Sequence, residues 1–165
     1  MSGDWSSDVC SSDLPNSGCF HYLGWTVLAS FLAPVVEAFC KWRNEDDWLL
    51  NYCPICGALP AMGQLVDADP GRLRLLRCGR CKSRWLYRRT ACPFCQSADD
   101  HRLATLSIRN EPFRIDYCEG CRGYLKTYVG AGNENCLLAD WTSLHLDVLA
   151  LDRGLKRRAR SLYEI

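Results

Sequence analysis

The chain has 165 residues, with 20 lysines and arginines against 19 acidic residues and a formal net charge of +1. At roughly 100 to 200 residues per domain, this length allows one ordinary domain or a few very small ones, and the balanced charge indicates neither a general nucleic-acid coat nor an acidic tail. A hydrophobic fraction of 48% with 24% charged residues excludes a disordered chain. The 12 cysteines are unusually many, and such a content is typical of a disulfide or metal scaffold.

Residues 1–14 differ from the rest of the chain. They are rich in Ser and Asp, have no apolar periodicity, and contain DVCSSDL, which resembles the translation of a sequencing-library adapter. We interpret this stretch as an adapter-derived artefact, with a natural disordered tail as the alternative. It is left out of the fold prediction together with Cys10.

Residues 15–50 are predicted to be the helical remnant of an N-terminal domain. Apolar side chains recur at i, i+4 from Val27 to Phe39, which is the pattern of a helix face. Pro34 and Glu37 interrupt the apolar run before it reaches the about 20 residues that a membrane span needs. The sequence therefore predicts a core helix, kinked or interrupted near Pro34, and no membrane partner.

Four C-x-x-C pairs form a tandem repeat. Cys92 follows Cys53 by 39 residues, and Cys118 follows Cys78 by 40. Such a spacing indicates two copies of one forty-residue module, which we place at residues 51–90 and 91–130. The pairs are Cys53/Cys56, Cys78/Cys81, Cys92/Cys95 and Cys118/Cys121.

Each module is predicted to form a β-hairpin with a cysteine pair at each end. The turns are predicted at residues 69–71 and 110–112, between alternating apolar runs. Closing the hairpin brings four thiolates together, and these can bind zinc or a single iron tetrahedrally. So small a unit needs a cross-link to be stable. A cysteine-bound metal contributes about 10–16 kcal/mol of binding free energy, against about 2–4 kcal/mol of stability from a disulfide.

No βαβ pattern surrounds a cysteine pair, which disfavours a thiol-disulfide enzyme.

Eight cysteines are therefore the predicted metal ligands. The repeat favours Cys53, Cys56, Cys78 and Cys81 for one ion and Cys92, Cys95, Cys118 and Cys121 for the other. A cross-braced arrangement, with the first pair joined to the third, is the alternative, and the spacing fits iron and zinc equally. The remaining cysteines, Cys19, Cys40 and Cys136, are interpreted as free thiols.

Trp85 and Tyr124, just after a second cysteine pair, and Tyr117, just before one, are expected to shield metal sites. Eight basic residues and no acidic one lie between Arg72 and Arg89. We expect them to form a solvated or protein-binding face. The alternative is a zinc-ribbon nucleic-acid-binding module that uses residues 72–89, with interleaved aromatic side chains for stacking.

Residues 131–165 are predicted to form a C-terminal helix and a basic tail. Asp140 and Asp147 are expected at the surface. The apolar face of this helix is expected to dock on the modules and consists of Trp141, Leu144, Val148 and Leu151.

The motifs CPICGALP, RCGRCKSRWLYRRTACPFC and YCEGCRGYLKTY resemble those of the formate dehydrogenase formation, or accessory, proteins of the E type (FdhE-like). The resemblance extends from about Leu23 to the C-terminus. It implies a small α+β fold in which a helical N-terminal part precedes two rubredoxin-like, or zinc-ribbon, modules. Most of the family's helical N-terminal half is expected to be missing, so the chain is interpreted as N-terminally truncated.

The same resemblance implies a function. FdhE-like proteins are cytoplasmic, non-enzymatic maturation factors that bind iron at the cysteine motifs and contact the molybdenum-containing catalytic subunit of formate dehydrogenase. The expectation is therefore an accessory protein with two metal ions, iron or zinc, each held by four cysteine thiolates. Formate dehydrogenase is the expected partner, and nucleic acid and membrane are not.

Overall fold

The computed structural model describes residues 17–44, 47–132 and 136–159. The interpretation of residues 1–14, including Cys10, lies outside the described residues, as does the basic tail beyond residue 159. The side chains of Cys19 and Cys136 also lie outside the described set, so their interpretation as free thiols stays a prediction.

The secondary structure follows the predicted order of helix, hairpins and helix. A long helix, α1 (Ser17–Trp42), comes first. Six strands follow: β1 (Met62–Asp67), β2 (Arg72–Arg77), β3 (Arg84–Tyr87), β4 (Leu103–Ser107), β5 (Phe113–Cys118) and β6 (Gly123–Val129). The described chain closes with α2 (Cys136–Thr142), α3 (Leu144–Asp152) and the short strand β7 (Lys156–Arg157). The predicted α+β class is confirmed.

The two modules share one sheet. Each folds as an antiparallel three-stranded meander, and the strand order is β3-β2-β1-β6-β5-β4, with β7 beside β6. The modules join through parallel pairing of β1 with β6, in which Met62 lies opposite Lys126 and Gly63 opposite Thr127. A Cβ atom at Gly63 would lie 2.6 Å from Thr127 Oγ1, so a side chain at this position would force the Thr127 side chain to move. This continuous sheet was not predicted from the repeat.

Apolar cores lie on opposite faces of the sheet. Adjacent residues of β6, Tyr124 and Leu125, belong to different cores, since side chains alternate along a strand. Leu125 joins a first-module core that includes Leu76, Trp85, Tyr87 and the cysteines Cys53, Cys78 and Cys81. Tyr124 joins a core beneath α3 that includes Ile115, Leu146, Ala150 and Leu155.

Helix α1 lies against the first module by one face. Ala29 is buried, and Leu32 and Val36 pack against the first-module core, while the Arg80 guanidinium lies 4.7 Å above the Trp25 ring. The helix continues through Pro34, so the predicted interruption is not found. Much of its remaining apolar surface is exposed, including Phe20, Leu23, Val27, Phe31 and Val35.

The sequence predicted that α1 is a core helix, but much of its apolar surface is exposed. Its segment Tyr22–Trp42 is long and apolar enough to cross a membrane by length and composition alone. Core helices and signal sequences meet the same criterion.

The predicted docking face of the C-terminal helix is wrong. Trp141, Val148 and Leu151 are 53%, 53% and 59% exposed. The helix breaks between Thr142 and Leu144 into α2 and α3. The buried residues Ala139, Ser143, Leu146 and Ala150 recur every three or four positions across this break. The buried face therefore combines small, polar and apolar residues, and the most apolar residues lie outside it.

Asp140 and Asp147, expected at the surface, are buried instead, each only 3% exposed. Lys126 Nζ lies 2.6 Å from Asp140 Oδ1 and 2.7 Å from Asp147 Oδ2. Arg157 pairs with both carboxylates, at 2.7 and 3.1 Å. Burial tends to raise the pKa of Asp140, but the charges of Arg157 and Lys126 outweigh it, so this pKa lies below its ordinary value. Paired charges can remain buried, and this cluster joins α2 and α3 to β6.

Candidate metal centres

The structure brings the eight predicted cysteines into two quartets. Within each quartet, the four sulfur atoms all lie within 4.8 Å of one another. The grouping is sequential, and the cross-braced arrangement is not formed. The first quartet is Cys53, Cys56, Cys78 and Cys81, and the second is Cys92, Cys95, Cys118 and Cys121. Every cysteine that the structure describes with its side chain is free of disulfides.

The sulfur spacing fits a single ion in each quartet. Sulfurs that bind a tetrahedral zinc at about 2.3 Å lie about 3.8 Å from one another. The distances observed across each hairpin are 3.4 Å for Cys53–Cys81 and for Cys56–Cys78, 3.7 Å for Cys92–Cys121 and 3.8 Å for Cys95–Cys118. Each set of four thiols could therefore hold zinc or iron without a change of fold.

Each cysteine pair lies in a turn whose next residue has a left-handed backbone. This residue directly follows the second cysteine and has φ of 70°, 62°, 60° and 58° at Gly57, Lys82, Gln96 and Arg122. Only the first is a glycine, although other residues also enter this region in tight turns at some conformational cost. Gly79 and Gly120, which lie inside the second cysteine pair of each module, are not in this conformation.

Backbone amides hold the turns and point at sulfur. The Gly57 amide donates to Cys53 O at 3.0 Å. The amides of Ile55 and Cys56 approach Cys53 Sγ at 3.4 and 3.5 Å, and the second module repeats this with Phe94 N and Cys92 Sγ at 3.4 Å. Such donors stabilise thiolate, the form of cysteine that binds metal.

The first quartet is the more enclosed. Cys53 is buried, whereas Cys95 of the second quartet is exposed. Ser83, itself buried, places its Oγ 3.1 Å from Cys53 Sγ and 3.2 Å from Cys81 Sγ. The position forty residues later is Gly123, which offers no hydroxyl. Sequence reasoning missed Ser83, although aligning the two modules shows this serine-to-glycine difference.

The thiols of a quartet change one another's acidity. Hydrogen bonds from Cys56, Cys78 and Cys81 lower the pKa of Cys53, and hydrogen bonding with Cys53 and Cys56 raises the pKa of Cys78. In the second quartet, burial raises the pKa of Cys92 to about 12. Four thiolates this close repel one another, so a bound cation is what would favour ionisation of all four.

The shielding prediction is correct for Trp85 and wrong for the tyrosines. Trp85 is 1% exposed, packs with the first quartet and donates its indole N–H to Leu50 O at 2.9 Å. Tyr124 lies on the other face, where its hydroxyl donates to Asp147 Oδ1 at 2.7 Å, and Tyr117 packs in the same core.

The difference between Trp85 and Tyr124 arises from strand parity. Trp85 follows Cys78 by seven residues, whereas Tyr124 follows Cys118 by six. Because successive side chains point to opposite faces, one residue of offset moves the ring from the metal side to the helix side. The true counterpart of Trp85 is Leu125.

The basic run from Arg72 to Arg89 does not form one surface. Arg74 is buried, and so are the interleaved aromatics Trp85 and Tyr87. Arg72 is paired with an acidic neighbour, Asp67, at 2.9 Å. Base stacking requires accessible aromatic faces, so the nucleic-acid alternative loses the interleaved aromatic side chains that it proposed for stacking.

Comparison with known proteins gives consistent matches. Residues 52–89 match the family model described as FdhE, central domain. A protein named FdhE homolog from Aquifex aeolicus is 31% identical over 141 residues, which cover 81% of this chain and 50% of the relative. Another from Shewanella oneidensis is 37% identical over 108 residues, covering 66% of this chain and 35% of the relative. The chain thus spans half or less of the length of these curated relatives.

A solved structure agrees with the fold. The crystal structure of the FdhE protein from Pseudomonas aeruginosa matches with a TM-score of 0.61 at 30% identity, covering 69% of this chain and 41% of that chain. These matches confirm the resemblance that the cysteine motifs predicted.

Proposed function

The chain is an FdhE-like protein, and on that premise we propose that it is a metal-binding accessory protein for the maturation of formate dehydrogenase. In this proposal it is not an enzyme, and it binds the catalytic subunit of the dehydrogenase in the cytoplasm. The observation that supports it most is the pair of cysteine quartets, held on one sheet in a chain similar to proteins named FdhE.

We propose that each quartet holds one metal ion. The chemistry of four thiolates suits iron and zinc, and the family resemblance favours iron. A bound ion would supply either structural cross-linking or, if it is iron, a change of oxidation state. The chain itself holds the four sulfurs at the spacing that a tetrahedral ion requires. In each hairpin, the two turns that carry the cysteine pairs fix this spacing.

Co-purification from an anaerobically grown host that makes a formate dehydrogenase tests the proposal. We expect the tagged chain to recover the catalytic subunit, identified by mass spectrometry. A Cys78→Ser, Cys118→Ser double variant should recover several-fold less. Cys40→Ser is the matched control, because Cys40 belongs to neither quartet, and it should behave as the parent chain does. Failure of a folded, metal-loaded chain to recover the subunit would contradict the proposal.

A further inference from the structure

A cleft of about 530 Å³ lies between the two modules, beside the second quartet. Strands β1, β2, β4 and β5 contribute to its lining, together with residues 89–94 of the segment that connects the modules. Cys92 and Cys118 of the second quartet border it. The proposed metal sites do not use this cleft, and its side chains have a distinct chemistry.

The charged side chains of the cleft are mostly cationic. The lining contains three arginines, Arg74, Arg89 and Arg114, and a single carboxylate, Asp116. Without the cysteines, these side chains carry a net charge of +2. Arg74 is only 5% exposed. A buried guanidinium is costly unless acceptors surround it.

Asp116 cannot satisfy these cations by itself. Its oxygens accept hydrogen bonds from Thr105 Oγ1 at 3.1 Å and Thr127 Oγ1 at 2.8 Å. Arg114 Nε lies 2.9 Å from one oxygen, whereas Arg74 Nη2 lies 3.7 Å from the other. The carboxylate is therefore shared between two hydroxyl donors and two guanidinium groups.

Two guanidinium N–H groups lack an acceptor among the described residues. Arg74 Nε has no hydrogen-bond partner, and Arg114 Nε is close to Asp116 without hydrogen-bond geometry. Arg74 does donate through Nη1 to Ala91 O at 3.2 Å. Burial lowers the pKa of Arg74, and the negative charge of Asp116 opposes this shift. An oxyanion in the cleft would add negative charge and acceptors beside these guanidinium groups, which bind oxyanions through paired hydrogen bonds.

Part of the remaining lining is apolar. Leu65, Pro93, Phe94 and Leu103 border the same space. We propose that the cleft binds a small organic anion. Its carboxylate or phosphate meets Arg74, Arg89 and Arg114, and its apolar part lies against Phe94 and Leu103. The competing explanation is that the arginines only offset the negative charge of the second thiolate quartet.

Calorimetric titration of the metal-loaded full chain at constant ionic strength tests this site. The probes are benzoate, phenyl phosphate and inorganic phosphate, with neutral benzamide as the control. We expect saturable one-to-one binding of at least one aromatic anion, more tightly than inorganic phosphate, and no binding of benzamide. Comparing benzoate with phenyl phosphate identifies which oxyanion the arginines prefer.

Variants separate the two explanations. Arg89→Gln and Arg114→Gln should each weaken binding about tenfold, the loss expected for a charge-assisted contact, with the metal content unchanged. The matched control is Arg109→Gln, because Arg109 is exposed and does not line the cleft. Absence of saturable binding to the folded chain would overturn the proposal. A loss of metal in Arg89→Gln and Arg114→Gln without a change in anion affinity would also overturn it, in favour of charge compensation.

Discussion

The Sγ atoms of Cys56 and Cys78 lie 3.4 Å apart although 22 residues separate them in the sequence. Cys56 closes the turn before β1, and Cys78 directly follows β2, so this contact lies at the open end of the first hairpin. Cys95 and Cys118 repeat the relationship at 3.8 Å in the second module. The stability of each module is therefore expected to depend on what its sulfurs bind.

Removing one sulfur from a quartet should remove one ion. Cys78→Ser and Cys118→Ser are each expected to lower the metal content from two ions per chain to one, because three thiolates and a hydroxyl hold the ion far more weakly. Cys40→Ser should retain both ions. Elemental analysis of the gel-filtered proteins measures the ratio, and a Cys118→Ser protein that keeps two ions would contradict the assignment.

The second quartet should lose its ion first. Cys95 is exposed, whereas the first quartet is enclosed and has the Ser83 hydroxyl beside two sulfurs. Chelator-driven release is expected to be faster in Cys78→Ser, which keeps the second ion, than in Cys118→Ser, which keeps the first. Equal rates would contradict the structural difference.

Ser83→Ala should accelerate release from the first quartet. Hydrogen bonds to charged groups contribute about 1.5–3 kcal/mol, so we expect an increase of roughly tenfold or more, measured in the Cys118→Ser background. Ser30→Ala is the control, because its hydroxyl is exposed on α1 and bonds only to a backbone carbonyl of the same helix. A release rate unaffected by Ser83→Ala would show that the hydroxyl does not stabilise the thiolates.

The Lys126 cluster should matter to folding. Lys126→Met leaves Asp140 and Asp147 buried with Arg157 as their remaining cation, and removing one partner of a buried ion pair costs about 3–5 kcal/mol. Denaturant unfolding of the metal-loaded proteins measures the change. Lys41→Met should leave the free energy of unfolding unchanged, since Lys41 forms an exposed pair with Glu37. If Lys126→Met does not fold, Asp147→Asn should show a smaller loss, and a parent-like Asp147→Asn would contradict the role of the cluster.

The join between modules can be tested at Gly63. An alanine Cβ there would lie 2.6 Å from Thr127 Oγ1 and 3.1 Å from Leu125 Cδ2, and overpacking of this kind costs about 1–3 kcal/mol. Gly63→Ala is therefore expected to lower the midpoint of denaturant unfolding. Gly24→Ala is the matched control, because its Cβ meets nothing within 4 Å and alanine favours a helix. A Gly63→Ala protein as stable as the parent would mean that β1 and β6 are not closely paired.

The parts of the fold that the sequence predicted are mostly local. The two hairpins and the grouping of the cysteines follow from turn residues and a repeat of 39 to 40 residues. The pairing of β1 with β6 joins residues such as Met62 and Lys126, and no turn or short spacing marks a contact between segments so far apart.

Two wrong predictions for individual residues have physical explanations: one is an unforeseen ion pair, and the other is the alternation of side chains along a strand. Asp147 was expected in solvent because unpaired carboxylates rarely are buried, and its partner Lys126 lies 21 residues away in the sequence. Tyr124 was placed at a metal site because an aromatic residue after a cysteine pair resembles Trp85. Tyr124 is offset by one residue along β6 from the position that corresponds to Trp85, so its side chain points to the opposite face of the sheet.

In the function proposed for this FdhE-like chain, each of the two quartets binds one metal ion. Elemental analysis of anaerobically purified chain, combined with its absorption spectrum before and after oxidation, tests it most directly. We expect about two ions per folded chain, with thiolate-to-iron(III) charge-transfer bands after oxidation if the metal is iron, or a colourless protein with two zinc ions. A folded protein with less than one ion per chain, and with its cysteines in disulfides, would contradict the claim.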